Sequence, residues 1–442
     1  NIEIMGTESD DHMELLPGET AGTVELRSTA DRFASIIFDQ PDSLLLAPEA
    51  GDDAVQIDSA VLPIAITVAD KEGIDKLSIA VSEGRLPEDV SFTDAIGDDG
   101  FITINDHVVT YTGFEKSQNI FIQGSSAADS FLLAASDDRI KVNLNEKQVA
   151  FDVPADSLEV HGLAGDDTIR FENLILSSSL KIDGGGGVDT VMLAGQFDAV
   201  TLTAKNDFFT STATIGSFIF EATTSDDNIE LSRNLDNAIV FASKNATFET
   251  FSVQEPTAGL RIETGDGDDS VLVKLDSFSP KLFIDGQRGV DAITIPAGEF
   301  VDLGFSVDTV SSEAIVQNLT YTTTDGDVGI ERDSTTSRLL IRDANGEALL
   351  LDPTEHFTVI AGGQSADDTI ESFGRNTNLT HVSMRQLVLT EDFTLINNGG
   401  GVNLGADVFA PGRNITVEAG TIDVLAGVTV STHATGSGAG DI

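Results

Sequence analysis

The sequence predicts an all-β chain, an elongated right-handed parallel β-helix of about twenty coils, and three observations predict it. Short segments such as SLKID, TVMLAG, SFIFEA, RIETG and SVLVKL are rich in Val, Ile, Phe and Thr, and they alternate or run apolar between turn residues. A Gly/Asp turn echoes after 22 residues three times, at Asp53 and Asp75, Asp167 and Asp189, and Asp269 and Asp291. Helical periodicity is hard to find over more than a few residues, the stretch from Leu379 to Leu389 being the least strand-like.

The turns themselves are alike: GLAGDDTI at 162–169, GDGDDSV at 265–271 and SADDTI at 365–370 each set paired aspartates ahead of an apolar run. A weaker mark precedes each echoing pair, at Asp11, Asp129 and Asp227, by 42, 38 and 42 residues. A fourth set runs from Asp327 through Asp368 to Asp392 with gaps of 41 and 24. These marks divide the chain into repeats at 1–120, 121–218, 219–318 and 319–392, the first with an insertion around LPEDVSFTDAIGDDGFITINDH. Residues 393–442, with closer Gly and Asn turns, form a distinct terminal segment expected to continue in a longer parent chain.

A parallel β-helix advances one coil for every twenty or so residues, so the 22-residue gaps read as one coil and the gaps near 40 as two. With strands ~4.8 Å apart, such a rod is on the order of 100 Å long. Tandem β-sandwich modules of about 100 residues are the structural alternative. The absence of Trp and the echo inside each repeat favour the solenoid.

Composition excludes whole classes of function. Across 442 residues, 74 Asp and Glu stand against 24 Lys and Arg, a net charge of −50 that argues against nucleic acid and anionic membranes. Cations, basic partners or a salty medium fit better. No cysteine occurs, so disulfides and thiolate metal sites play no part. No apolar run reaches the ~20 residues of a spanning helix, and the opening NIEIMGT reads as a processed product or a fragment.

Two readings of the aspartates compete. Gly-Asp-Asp is good turn chemistry, because Gly permits positive φ and Asp bonds its own backbone; this reading is preferred for Asp11 and Asp129. It does not explain doubled carboxylates at matched positions. Stacked like charges at 4 Å repel by ~4 kcal/mol at an effective dielectric of 20, whereas calcium takes six to eight such oxygens and reverses the sign. Calcium is therefore the expected cofactor, with Asp166, Asp167, Asp189, Asp268, Asp269 and Asp291 as first candidates and Asp266, Asp367 and Asp368 next.

GLAGDDTI, GDGDDSV and GGGGVDTV resemble degenerate copies of the glycine-aspartate nonapeptide of repeats-in-toxin (haemolysin-type) calcium-binding proteins. The long period resembles giant bacterial surface proteins built from such units, although here the motif stands in single copies rather than in tandem. ITVEAGTIDVLAGVTVSTHATGSGAGDI is similar to the β-helical repeats of filamentous-haemagglutinin-type adhesins. Both resemblances imply an exported bacterial protein, extracellular or on the cell surface.

Other signals are weak. Six histidines are scattered without HExxH, no EF-hand loop is complete, and neither GxxxxGK[ST] nor GxSxG occurs. Asn245, Asn318, Asn378 and Asn414 head Asn-x-Thr sequons that chance accounts for in a Thr-rich chain. The expected function is an extracellular structural or adhesive rod, not an enzyme, stacking end to end and meeting a glycan or a cell-surface receptor. A polysaccharide-binding or polysaccharide-cleaving β-helix is the alternative, and cadherin-like modules with calcium at the joints a third.

Overall fold

The computed structural model describes residues 2–432 except 8, 29–34, 62–63, 71–72, 83–88, 95–99, 105–106, 115, 308, 313, 323–327, 333–338, 343–347, 352, 361–368, 373–386, 389–391, 405–407 and 425–427. The protein is nearly all β, with one 3-10 turn at Ser59–Val61 among the described residues. No helix there is long and apolar enough to cross a membrane. Contacts divide the chain into two compact units, 1–216 and 217–442. Most of the stretch from Leu379 to Leu389, and the marks Asp327, Asp367 and Asp368, lie outside the described residues.

In the first unit, strands about 20 or about 40 residues apart in the chain pair in parallel, and each such step is a winding. Ile2–Met5, Ser43–Ala47, Ala65–Ala69 and His107–Thr112 form one stack. His12–Pro17, Ala54–Asp58, Lys76–Ser82, Lys116–Gln123 and Ser157–His161 form a second, continued by 179–183 and 199–202. Ser130–Ser136, 168–171, 190–193 and Phe208–Ser211 form a third. The register explains the echo, since Ala54 faces Lys76 and Thr168 faces Thr190.

In the second unit, 217–221, Gly259–Glu263, Ser277–Asp285, Glu299–Ser306, Ile315–Thr322, Pro353–Ile360, Asp392–Leu404 and Ile415–Val424 stack in parallel. Asn228–Arg233, Ser270–Val273, Ala292–Ile295 and Thr309–Ser312 stack beside them. Sandwich modules would put antiparallel neighbours at the echo. The echoing strands here are parallel.

Alternation along each strand turns every second side chain inward, and stacking aligns those side chains into columns. Leu15, Ile57, Ile79, Ile120, Leu158, Leu180 and Val200 are successive register partners, and each is at most 1% exposed. Each such side chain contributes about 1.5–3 kcal/mol by burial. Phenylalanines widen the core of the second unit, where Phe241 stacks on Phe251 at 4.7 Å and both meet Phe220.

The gaps near 40 residues are not two coils. His12 faces Ala54, Ser130 faces Thr168 and Asn228 faces Ser270, so each such gap spans one winding. The extra residues leave the parallel stack as antiparallel strands. Ser130–Ser136 pairs with Arg139–Leu144, which pairs with Lys147–Asp152. Asn228–Arg233, Ile239–Ser243 and Phe251–Val253 repeat the arrangement, as do Val328–Arg332, Leu339–Arg342 and Ala348–Leu351. The insertion in the first repeat likewise forms antiparallel pairs, from Asp89–Asp94 through Gly100–Ile104 to His107–Thr112. About twenty coils is thus an overcount, because hairpin strands and coil strands share a period of two. At one of these hairpins Asn145 and Glu146, at φ 49° and 69°, make the tight two-residue turn.

Candidate metal centre and the carboxylate ladders

Each acidic corner leads from one strand to the next and ends on an aspartate whose side chain turns inward. Asp11, Asp53, Asp75, Asp129, Asp167, Asp189, Asp227, Asp269 and Asp291 are all at most 3% exposed. A carboxylate buried this deeply demands hydrogen-bond partners. Backbone amides of the adjacent winding supply them. The Asp129 N–H donates to Asp167 Oδ1 at 2.7 Å, the Asp167 N–H to Asp189 Oδ1 at 2.8 Å, and the Asp189 N–H to Asp207 Oδ2 at 2.7 Å. Asp11, Asp53 and Asp75 are chained in the same way at 2.5 and 2.8 Å, and Asp227, Asp269 and Asp291 at 2.6 and 3.0 Å. In every case the carboxylate reaches back to the earlier winding.

The first aspartate of each pair reaches the other way. The Val188 N–H donates to Asp166 Oδ1, Val290 N–H to Asp268 Oδ1 and Ile74 N–H to Asp52 Oδ1, each at 3.0 Å. Asp10 and Asp226 accept similarly from the Asp52 and Asp268 amides. An Asp-Asp pair is thus a two-way staple, one carboxylate held by the winding before and one by the winding after. Charge-assisted bonds of this kind contribute about 1.5–3 kcal/mol each. Asp at both positions does what a turn residue alone cannot.

The first mark of each ladder also has a cap of its own. Thr7, Ser125 and Thr223, four residues before Asp11, Asp129 and Asp227, donate both N–H and hydroxyl to that aspartate's Oδ2. The turn chemistry expected of Asp11 and Asp129 is therefore present, and their amides start the ladders as well. Glycine is required where corners superpose. Gly187, at φ 138°, sits so close over the Gly165 carbonyl oxygen that a Cβ would collide with it, and Gly289 sits likewise over Gly267.

The two ladders of the first unit do not share a corner. Lys76–Ser82 follows Asp75, whereas Lys116–Gln123, stacked on it, precedes Gly124 and Asp129. The acidic corners therefore lie at opposite ends of one strand stack.

Stapling leaves a charge problem. Asp53, Asp167 and Asp189 each have a buried Oδ2 without a hydrogen-bond partner. Burial raises the Asp167 carboxyl from 3.8 to about 6, against the lowering effect of the Asp129 amide and with neighbouring carboxylates adding to the rise. Burial likewise raises Asp53, Asp189 and Asp269.

Of the nominated metal ligands, Asp167 with Asp189 and Asp269 with Asp291 lie on adjacent windings, joined through an amide. Asp166 and Asp268 are exposed outer staples, and Asp266 is exposed with its backbone bridged to Arg288. The unpartnered buried oxygens of Asp167 and Asp189 suit a hard cation in chemistry. Among the described residues, however, the one group of three acidic side chains with an oxygen from each within 4.8 Å of the others is Asp53, Asp70 and Asp75. Sequence reasoning passed over Asp70, which follows AITVA without a glycine, and Asp207 in KND, also without one. The hydroxyl residue four before each first mark was legible in GTESDD, GSSAAD and ATTSDD.

In the first unit, Glu159 is the centre of a compact ionic cluster on the outer face. Glu159 accepts from Lys76 Nζ at 2.7 Å across the intervening strand, beside His161 and Phe121. His161 and Lys76 hold the Glu159 carboxyl at about 2 against the opposing effect of burial. No family model matches the chain, and comparison with curated proteins and with solved structures gave no match.

Proposed function

We propose that this chain is a right-handed parallel β-solenoid with a structural task, an extracellular spacer or adhesive rod of a bacterial surface or filament, stiffened by calcium. The observation that carries the reading is the two-way aspartate staple at successive 22-residue windings. It commits the repeated carboxylates to joining windings, whereas hydrolytic chemistry needs one pair facing one substrate. Calcium enters because the staples leave desolvated oxygens at Asp167 and Asp189, and a divalent cation neutralises what protons otherwise must. A net charge of −50 directs the partners away from nucleic acid and toward cations, glycans or basic surface receptors. The open strand edge at each end of a solenoid favours stacking of copies head to tail.

Negative-stain microscopy of the full chain in calcium and in chelator tests the proposal. Straight rods that join end to end are expected. Compact globules in both conditions, or shortened products when acidic polysaccharides are added, overturn it.

A further inference from the structure

At most acidic corners, the residue five before the buried aspartate is small. Gly162, Gly184 and Gly286 occupy that place before Asp167, Asp189 and Asp291, and at each a Cβ would run into the aspartate's own carboxylate. At one corner the place is held by Asp70, five residues before Asp75. The chain thus sets a third carboxylate where corners such as those of Asp167, Asp189 and Asp291 keep a bare backbone.

We infer that Asp53, Asp70 and Asp75 form a divalent-cation site, with calcium as the best match. One oxygen from each lies within 4.8 Å of the others, a separation that a single ion bridges. Asp53 is 1% exposed; its Oδ1 is taken by the Asp11 amide, and its Oδ2 is buried without a partner. Asp75 is also 1% exposed, and Asp70 is half-buried. An all-carboxylate set with neither imidazole nor thiolate selects calcium-class ions over zinc or copper. The site shares with the proposed function the expectation of a hard cation, but it uses none of the aspartates nominated from the repeat.

Terbium provides a local reporter. Of the chain's two tyrosines, Tyr111 pairs in register with Val68, two residues before Asp70, and Gly113 packs on the Asp70 backbone. Titrating the full chain with terbium under tyrosine excitation is expected to give saturable luminescence that calcium competes away. Asp70→Gly, which restores the residue found at Gly184 and Gly286, is expected to weaken terbium and calcium binding roughly tenfold or more. Asp70→Asn serves as the second variant, with calorimetry in chelator confirming that both fold. Tyr111→Phe should remove the luminescence and leave the calcium isotherm intact. Asp189→Asn should leave the terbium luminescence intact. Wild-type terbium isotherms in both Asp70 variants overturn the site without touching the microscopy of the rod, whereas no calcium binding at millimolar concentration overturns both the site and the calcium in the proposed function. Loss of the terbium signal in Asp189→Asn alone moves the cation to the corner of Asp167 and Asp189 and also overturns it.

Discussion

Asp167→Asn isolates the charge that the staple leaves behind. Asparagine keeps an Oδ1 acceptor for the Asp129 N–H, which Asp167 receives at 2.7 Å, so the joint between windings survives. Its neutral amide replaces the unpartnered, charged Oδ2. The Asp167 carboxyl rises from 3.8 to about 6, and at 1.36 kcal/mol per unit this is a charging cost of about 3 kcal/mol. The folded-state value lies above the unfolded one, so the folded chain binds the proton more tightly. The cost is therefore fully present above about pH 6 and disappears as pH falls toward the unfolded value of 3.8. Calorimetric unfolding in chelator, near neutrality and near pH 4, should find the variant more stable by up to about 3 kcal/mol at the first pH and little changed at the second. Chelator matters, since a bound cation would otherwise offset the same charge. A variant destabilised by more than about 1 kcal/mol near neutrality in chelator refutes the reasoning, because the ionised Oδ2 would then be making a bond that Asn cannot.

Gly187→Ala forces a side chain to φ 138° and into the Gly165 carbonyl, and urea unfolding should register a loss of at least about 2 kcal/mol. Its neighbour Gly186, where a Cβ would meet nothing nearer than the Leu163 carbonyl at 3.9 Å, should accept Ala within about 0.5 kcal/mol. Leu180→Ala, within the seven-residue column, should cost about 2–5 kcal/mol by the same assay. Lys76→Ala should cost about 1 kcal/mol near neutrality. The Glu159 value is lowered from 4.5 to about 2, so this contribution is present above about pH 4.5 and lost as pH falls through 2, opposite in sign to Asp167.

Strand content, the 22-residue spacing of parallel partners and the aspartates at matched corners were legible in the sequence. Alternation such as that which buries Ile169 and Phe171 is a local property, and a stacked corner must recur at a fixed spacing, as at Ile169 with Val191 and Asp167 with Asp189. Spacing counts residues and is blind to where they go. Only pairing decided that the residues between Asp129 and Asp167 fold out as hairpin strands instead of winding twice, since both paths bury every second side chain. Only pairing decided that the ladder through Asp75 and the ladder through Asp129 lie at opposite ends of one strand stack. The direction of the staples was equally hidden: Asp166 and Asp167 are the same residue type one position apart, and the pleat alone sends one to the following winding and the other to the preceding one. Asp70 carries no turn signature, and it becomes a third carboxylate beside Asp53 and Asp75 because parallel stacking brings together residues that are distant in the chain.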